Sequence, residues 1–148
     1  MQGFAGLYNH FDMINQELKL FDSKMHEFLE SKGVEIQMIA LEPIMSLFFN
    51  LIPLELTDKH LNAFFEHGWP YLYKLFLQFL MHNKNKIYQC EDQYEILSIF
   101  KDYYHSRSQK PKSYSDKLLN LVTLSKLNLS KLELNWKNLI EKACKSMQ

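Results

Sequence analysis

The sequence predicts an all-α fold of about seven helices, and three observations carry that reading. Only 4 Gly and 4 Pro occur in 148 residues, too few of the turn residues that a β-sandwich or barrel consumes. Apolar residues recur at steps of three and four, and no stretch alternates convincingly as a strand would. Hydrophobic residues make up 47% and charged residues 23%, the balance of a folded globular chain, with 11 Phe and 8 Tyr to fill a ring-rich core. The length suits one domain with a sizeable core.

The first helical stripe is Phe4, Leu7, Tyr8, Phe11, Ile14, Leu18, Phe21, Met25, Phe28 and Leu29, spaced mostly three and four apart. Gly33 ends it as a left-handed cap residue, and Asp22-Ser23 marks a place where a second helix can be capped. The next helix is expected from about Ile36 to Phe49 or Asn50, kinked by Pro43 and closed by Pro53. Thr57 is the expected N-cap of a helix carrying Leu61, Phe64 and Phe65 that stops at Gly68. Pro70 then sits where a first helical turn belongs. The segment behind it, Tyr71 to Leu80, is apolar nearly all round and should be central and buried.

His82 to Lys86 reads as a polar loop. Asp92 with Glu95 three residues on forms a capping box ahead of Ile96, Leu97, Phe100, Tyr103 and Tyr104. Residues 106–113 (SRSQKPKS) read as a polar linker. Helices are expected from about Ser115 to Leu127 and again behind a second capping box, Ser130 with Glu133. The organisation is thus a helical unit over 1–105, a linker over 106–113 and a helical pair over 114–148 packing on it.

Function classes are narrowed mainly by absences. Basic and acidic residues are equal at 17 each, which argues against a general phosphate-neutralising surface, and no nucleic-acid partner is expected. Arg107 is the single arginine among the 17 basic residues. Cys90 and Cys144 have no metal or redox spacing, which points to a reducing compartment. The six histidines form no HExxH or HxxxH pair and read as surface or helix-end residues. No phosphate-cradling glycine loop and no nucleophile elbow occurs. No signal peptide precedes the first helix, and Met1 reads as a native start. The greasiest run, Ile36 to Leu54, is broken by Glu42, Pro43, Asn50 and Pro53, so no transmembrane segment is expected. No catalytic, cofactor-binding or metal-binding residue is assigned, and no cofactor is expected. The chain reads as intracellular and cytoplasmic, reaching cytoskeleton or organelles through partners.

From about Leu18 to Phe100 the sequence resembles the second half of a TBC domain, the module that activates Rab-type GTPases. The resemblance rests on Leu20 to Leu29 with Gly33-Val34, on Ala40-Leu41-Glu42-Pro43-Ile44-Met45-Ser46-Leu47-Phe48, and on Ile52-Pro53-Leu54. Leu61 to Gly68 and the apolar helix Tyr71 to Met81 complete the ordered set. Against the family pattern, Phe28 stands in a histidine's place. Pro43 replaces a tryptophan, and Leu61-Asn62 replace a tryptophan-aspartate pair.

The resemblance implies a helical domain that meets other proteins. It also implies an arginine and a glutamine from the domain's first half, the first offsetting phosphoryl charge and the second orienting water. Neither motif is present: Gln2-Gly3 lies too close to the following helices, and Arg107 lies on the wrong side. The expectation is therefore a non-catalytic subunit of a larger assembly, with a Rab-type GTPase among its partners. Its candidate contact surface is Phe4, Leu7, Tyr8, Phe11, Phe48, Phe49, Trp69 and Tyr71. The alternatives are half of a Rab GTPase-activating protein whose fingers come from another chain, and a small adaptor whose helical patterning is convergent.

Overall fold

The computed structural model describes residues 3–52 and 54–105, together with Lys137, Asn138, Glu141, Lys142 and Lys145, which are helical. The linker over 106–113, the helix expected over 115–127 and the second capping box lie outside the described residues. Seven α-helices follow one another: α1 Gly3–Phe21, α2 Ser23–Ser31, α3 Ile36–Met45, α4 Thr57–His67, α5 Trp69–His82, α6 Lys84–Tyr88 and α7 Gln93–His105. Two short 3-10 turns, Phe49–Leu51 and Leu54–Leu56, join α3 to α4.

α5 is the axis of the fold. Every residue from Pro70 to Leu80 is buried, as its all-round apolar sequence requires. α1, α4 and α6 pack on it. Rings fill the space between α5 and α7: Phe79 lies 4.5 Å from Tyr103 and 5.8 Å from Phe100, measured between centroids. Lys74 is carried into this helix at 2% exposure, and burial pulls its ammonium below the usual lysine range.

The first stripe divides where Asp22 interrupts it. The Asp22 carboxylate accepts the Met25 backbone N–H at 3.1 Å, capping α2, and its second oxygen accepts Lys84 Nζ at 3.0 Å. Burial alone would raise this carboxyl; the bonds from Lys84 and Met25 outweigh it and hold it below the ordinary carboxylate value. α2 closes in a Schellman turn. Gly33 takes φ of +73°, its N–H reaches the Glu30 carbonyl, and the Val34 N–H reaches Leu29 across the turn at 2.8 Å.

α3 ends earlier than its sequence suggests, and by the same motif without a glycine. The Leu47 N–H bonds the Ile44 carbonyl at 3.1 Å and the Phe48 N–H bonds Pro43 at 2.6 Å. Leu47 and Phe48 both adopt left-handed φ, 49° and 63°. That conformation costs a non-glycine residue roughly 1–2 kcal/mol. The reversal drops Phe48 into the core at 0% exposure, which offsets the strain. Pro43, inside α3, has no N–H to give to the Ile39 carbonyl one turn back. The Tyr104 hydroxyl of α7 takes that acceptor at 2.5 Å. Tyr104→Phe should therefore strand a buried carbonyl and cost about 1–2 kcal/mol in urea unfolding. An unchanged midpoint would show that Ile39 finds another donor.

Three other sequence expectations are corrected. Thr57 is not a cap: Leu56 holds the N-cap position of α4, and the Thr57 hydroxyl is buried without a hydrogen bond among the described residues. The polar loop after α5 is largely α6, anchored by Ile87 at 0% exposure, while Asn83 Nδ2 donates to the Phe79 carbonyl at 2.9 Å. The histidines are not uniformly peripheral, since His60 is 1% exposed. The capping box of α7 does form: the Asp92 carboxylate accepts the Glu95 N–H at 2.9 Å, and Glu95 reaches back to the Glu91 N–H at 2.8 Å.

Candidate functional site

The residues expected to form a contact surface are largely covered within the chain, and two of them, Trp69 and Tyr71, belong to the first turn of α5. Phe11, Phe48 and Tyr71 are buried at 7%, 0% and 2% exposure. Leu7, Phe49 and Trp69 are half-buried, and Tyr8 stands out at 60%. The side chain of Phe4 lies outside the described residues. Periodicity placed these rings on apolar stripes, but it did not say which stripes would find partners within the chain.

Two histidines organise the cluster. On the α1 side, His10 stacks on Trp69 with centroids 3.9 Å apart, and its Nδ1 lies 2.5 Å from the Tyr73 hydroxyl. Burial lowers the His10 imidazole to about 4. On the α4 side, His60 Nε2 lies 2.8 Å from the Leu47 carbonyl and Nδ1 lies 2.9 Å from the Tyr71 hydroxyl. A carbonyl can only accept, so Nε2 carries the proton and Tyr71 donates to Nδ1. Burial keeps His60 neutral, lowering its imidazole against the opposing effect of the Leu47 bond. Burial raises both tyrosines. Their hydroxyls are therefore donors with firm protons, and α5 is clipped to its neighbours on two flanks.

This arrangement fastens helices together. No group of three His, Cys, Asp or Glu side chains among the described residues could hold a metal ion. Burial, with Glu95 and Asp92 adding to it, pushes the Cys90 thiol up, away from thiolate reactivity. No helix among the described residues is long and apolar enough to cross a membrane. Apolar surface also remains open on a helix that the expected set does not include. On α3, Met38, Leu41 and Met45 fall three and four residues apart at 46%, 43% and 73% exposure. Sequence reasoning missed this stripe because α3 is apolar on both faces and its inner face satisfied the pattern.

The family model of the Rab-GTPase-TBC domain matches residues 1–88, from the start of the chain to the end of α6. The chain belongs to the Rab-GTPase-TBC domain family. A second comparison agrees: over 93 residues the chain is 27% identical to the "Putative GTPase-activating protein AN11010" of Emericella nidulans. That similarity covers 58% of this chain and 8% of the relative, so the chain corresponds to a small part of that protein's length. No solved structure matches. The TBC match takes in all of α1, whereas the motif resemblance begins at about Leu18, and it leaves α7 beyond its end.

Proposed function

We propose that this TBC-family chain is a non-catalytic interaction unit, equivalent to the C-terminal half of a TBC domain and working within a larger protein assembly. The observation that carries this reading is chemical. Residues 1–88, the whole of the family match, contain no arginine. Accelerating GTP hydrolysis by a finger mechanism requires a guanidinium at the transferring phosphoryl group, and lysine lacks its planar fork. The partly exposed Met38, Leu41 and Met45 stripe supports the interaction half of the reading, since flexible thioethers on an apolar helix face suit a protein partner.

The test is single-turnover GTP hydrolysis by a panel of Rab-type GTPases with and without the full chain. The expected rate is unchanged within about twofold. Stimulation approaching the roughly 10³-fold of an arginine finger would overturn the proposal. Loss of that stimulation in Arg107→Lys would then assign the finger to this chain. Stimulation that appears only when a second TBC chain bearing an arginine is added would favour the split-enzyme alternative.

A further inference from the structure

The zero net charge of the chain is the sum of two opposed parts. Nine of the 17 basic residues but only three of the 17 acidic ones follow His105, so residues 106–148 carry a formal +6 and residues 1–105 the matching −6. The negative part holds the partly exposed Met38, Leu41 and Met45 stripe of α3. α3 and its N-cap carry Glu35 and Glu42 and no basic residue. The chain also leaves α7 at this face. His105, the last residue of α7, has Nε2 3.9 Å from the Glu42 carboxylate, and Glu42 sits between Leu41 and Met45 along α3. In the positive part, Lys137, Asn138, Glu141, Lys142 and Lys145 are helical and exposed, at a spacing that sets them on one face. Between them the sequence places Trp136, Leu139, Ile140 and Ala143, the apolar complement of an amphipathic helix.

We infer that the outward face of α3 is the docking surface for the C-terminal helix of the same chain, which lays Trp136, Leu139 and Ile140 on Met38, Leu41 and Met45. Three physical terms favour this occupant. Each side offers an apolar stripe that water penalises when it is left open. The +6 segment is drawn to the −6 body, whereas the helical body of a second copy carries the same −6 and is repelled. The tether supplies the third. Residues 106–135 connect the two stripes, ample chain to cover the length of α3, about 15 Å. A flexible tether of this kind holds its end at an effective concentration on the order of millimolar. The inference goes beyond the proposed function and does not depend on it; a protein partner that reads the α3 stripe would have to displace the helix.

The test is hydrogen–deuterium exchange of the full chain, read by mass spectrometry. The parent is compared with the double variant Leu41→Lys and Met45→Lys, two positions open enough to accept lysine without loss of the core. Amide exchange over residues 131–145 should rise at least about tenfold in the variant, while the amides of α5 keep their protection. Raising the salt concentration should speed the same amides, because screening weakens the attraction between the two parts. The reciprocal variant, Leu139→Lys with Ile140→Lys, should speed peroxide oxidation of Met38 and Met45 at least about threefold. The buried Met13 and Met25 serve as controls and should not change. Equal exchange in parent and variant, or unchanged oxidation of Met38 and Met45, would overturn the docking. Protection that fades on dilution would assign the face to a second copy. Protection that appears only with phosphatidylserine vesicles would assign the helix to a lipid surface. Either outcome overturns the intramolecular assignment.

Discussion

Phe79→Ala is expected to lower unfolding free energy by about 3–5 kcal/mol, the largest effect of any single substitution considered. Phe79 is fully buried, and its ring meets Phe76, Phe100, Tyr103 and Tyr104 at centroid distances of 4.5 to 6.5 Å. Truncation removes the transfer free energy of the ring and leaves a cavity walled by these four rings, which cannot all close in. Phe65→Ala is the matched control: the same residue type on α4 stands at 77% exposure, and its loss should change stability by no more than about 0.5 kcal/mol. Urea unfolding of both variants checks the pair. Similar midpoints would mean that the ring cluster between α5 and α7 is not packed as described.

Acid should loosen the packing of α1 on α5 through His10, which stacks on Trp69 and meets Tyr73. His10 titrates near 4 in the fold, against 6.5 for an ordinary histidine. As pH falls from about 6.5 to 4, the unfolded chain takes up a proton that the folded chain refuses, so folding loses stability across that window. Above about pH 7 both states are neutral and the effect vanishes. A shift of this size on a half-buried group corresponds to about 2–3 kcal/mol at the bottom of the window. His60, lowered in the same direction by burial, adds to the slope. Asp22 acts in the same sense and lower down: its depressed carboxyl contributes stability above about 3.8, lost only as pH falls further. The measurement is urea unfolding at intervals from pH 7.5 to 4.5. His10→Gln should flatten the curve relative to the parent, and parallel curves would sink the assignment.

The two clips also say why the chain tolerates the left-handed corner at Leu47-Phe48. The His60 Nε2 proton holds the Leu47 carbonyl, and the Phe49 ring stands edge-on to the same imidazole at 4.8 Å. The strained residues thus sit between a buried polar anchor and a half-buried ring, and relaxing the backbone would break both. The corner of a TBC-family helix pair is in this way tied to α5, the helix that organises the core.

The sequence by itself determined the helices whose signals are local. Gly33 and Gly68 stopped α2 and α4 because a positive φ suits glycine, and Asp92 with Glu95 opened α7 because its bonds close within one turn. The uniform apolarity of Tyr71 to Leu80 was enough to make α5 central. The ordered landmarks from Leu20 to Met81 were enough for the family. Only the tertiary structure decided the rest. The Ile39 carbonyl freed by Pro43 is satisfied by a hydroxyl 65 residues away, and no local pattern records that pairing. His60 looked peripheral because a histidine's burial depends on partners, here Tyr71 and Leu47, that meet it only after α3, α4 and α5 have packed. Phe11, Phe48 and Tyr71 turned inward while Met38, Leu41 and Met45 remained partly exposed. Periodicity reports that a stripe is apolar; which stripe is covered depends on which neighbour reaches it first, and that is a property of the assembled chain.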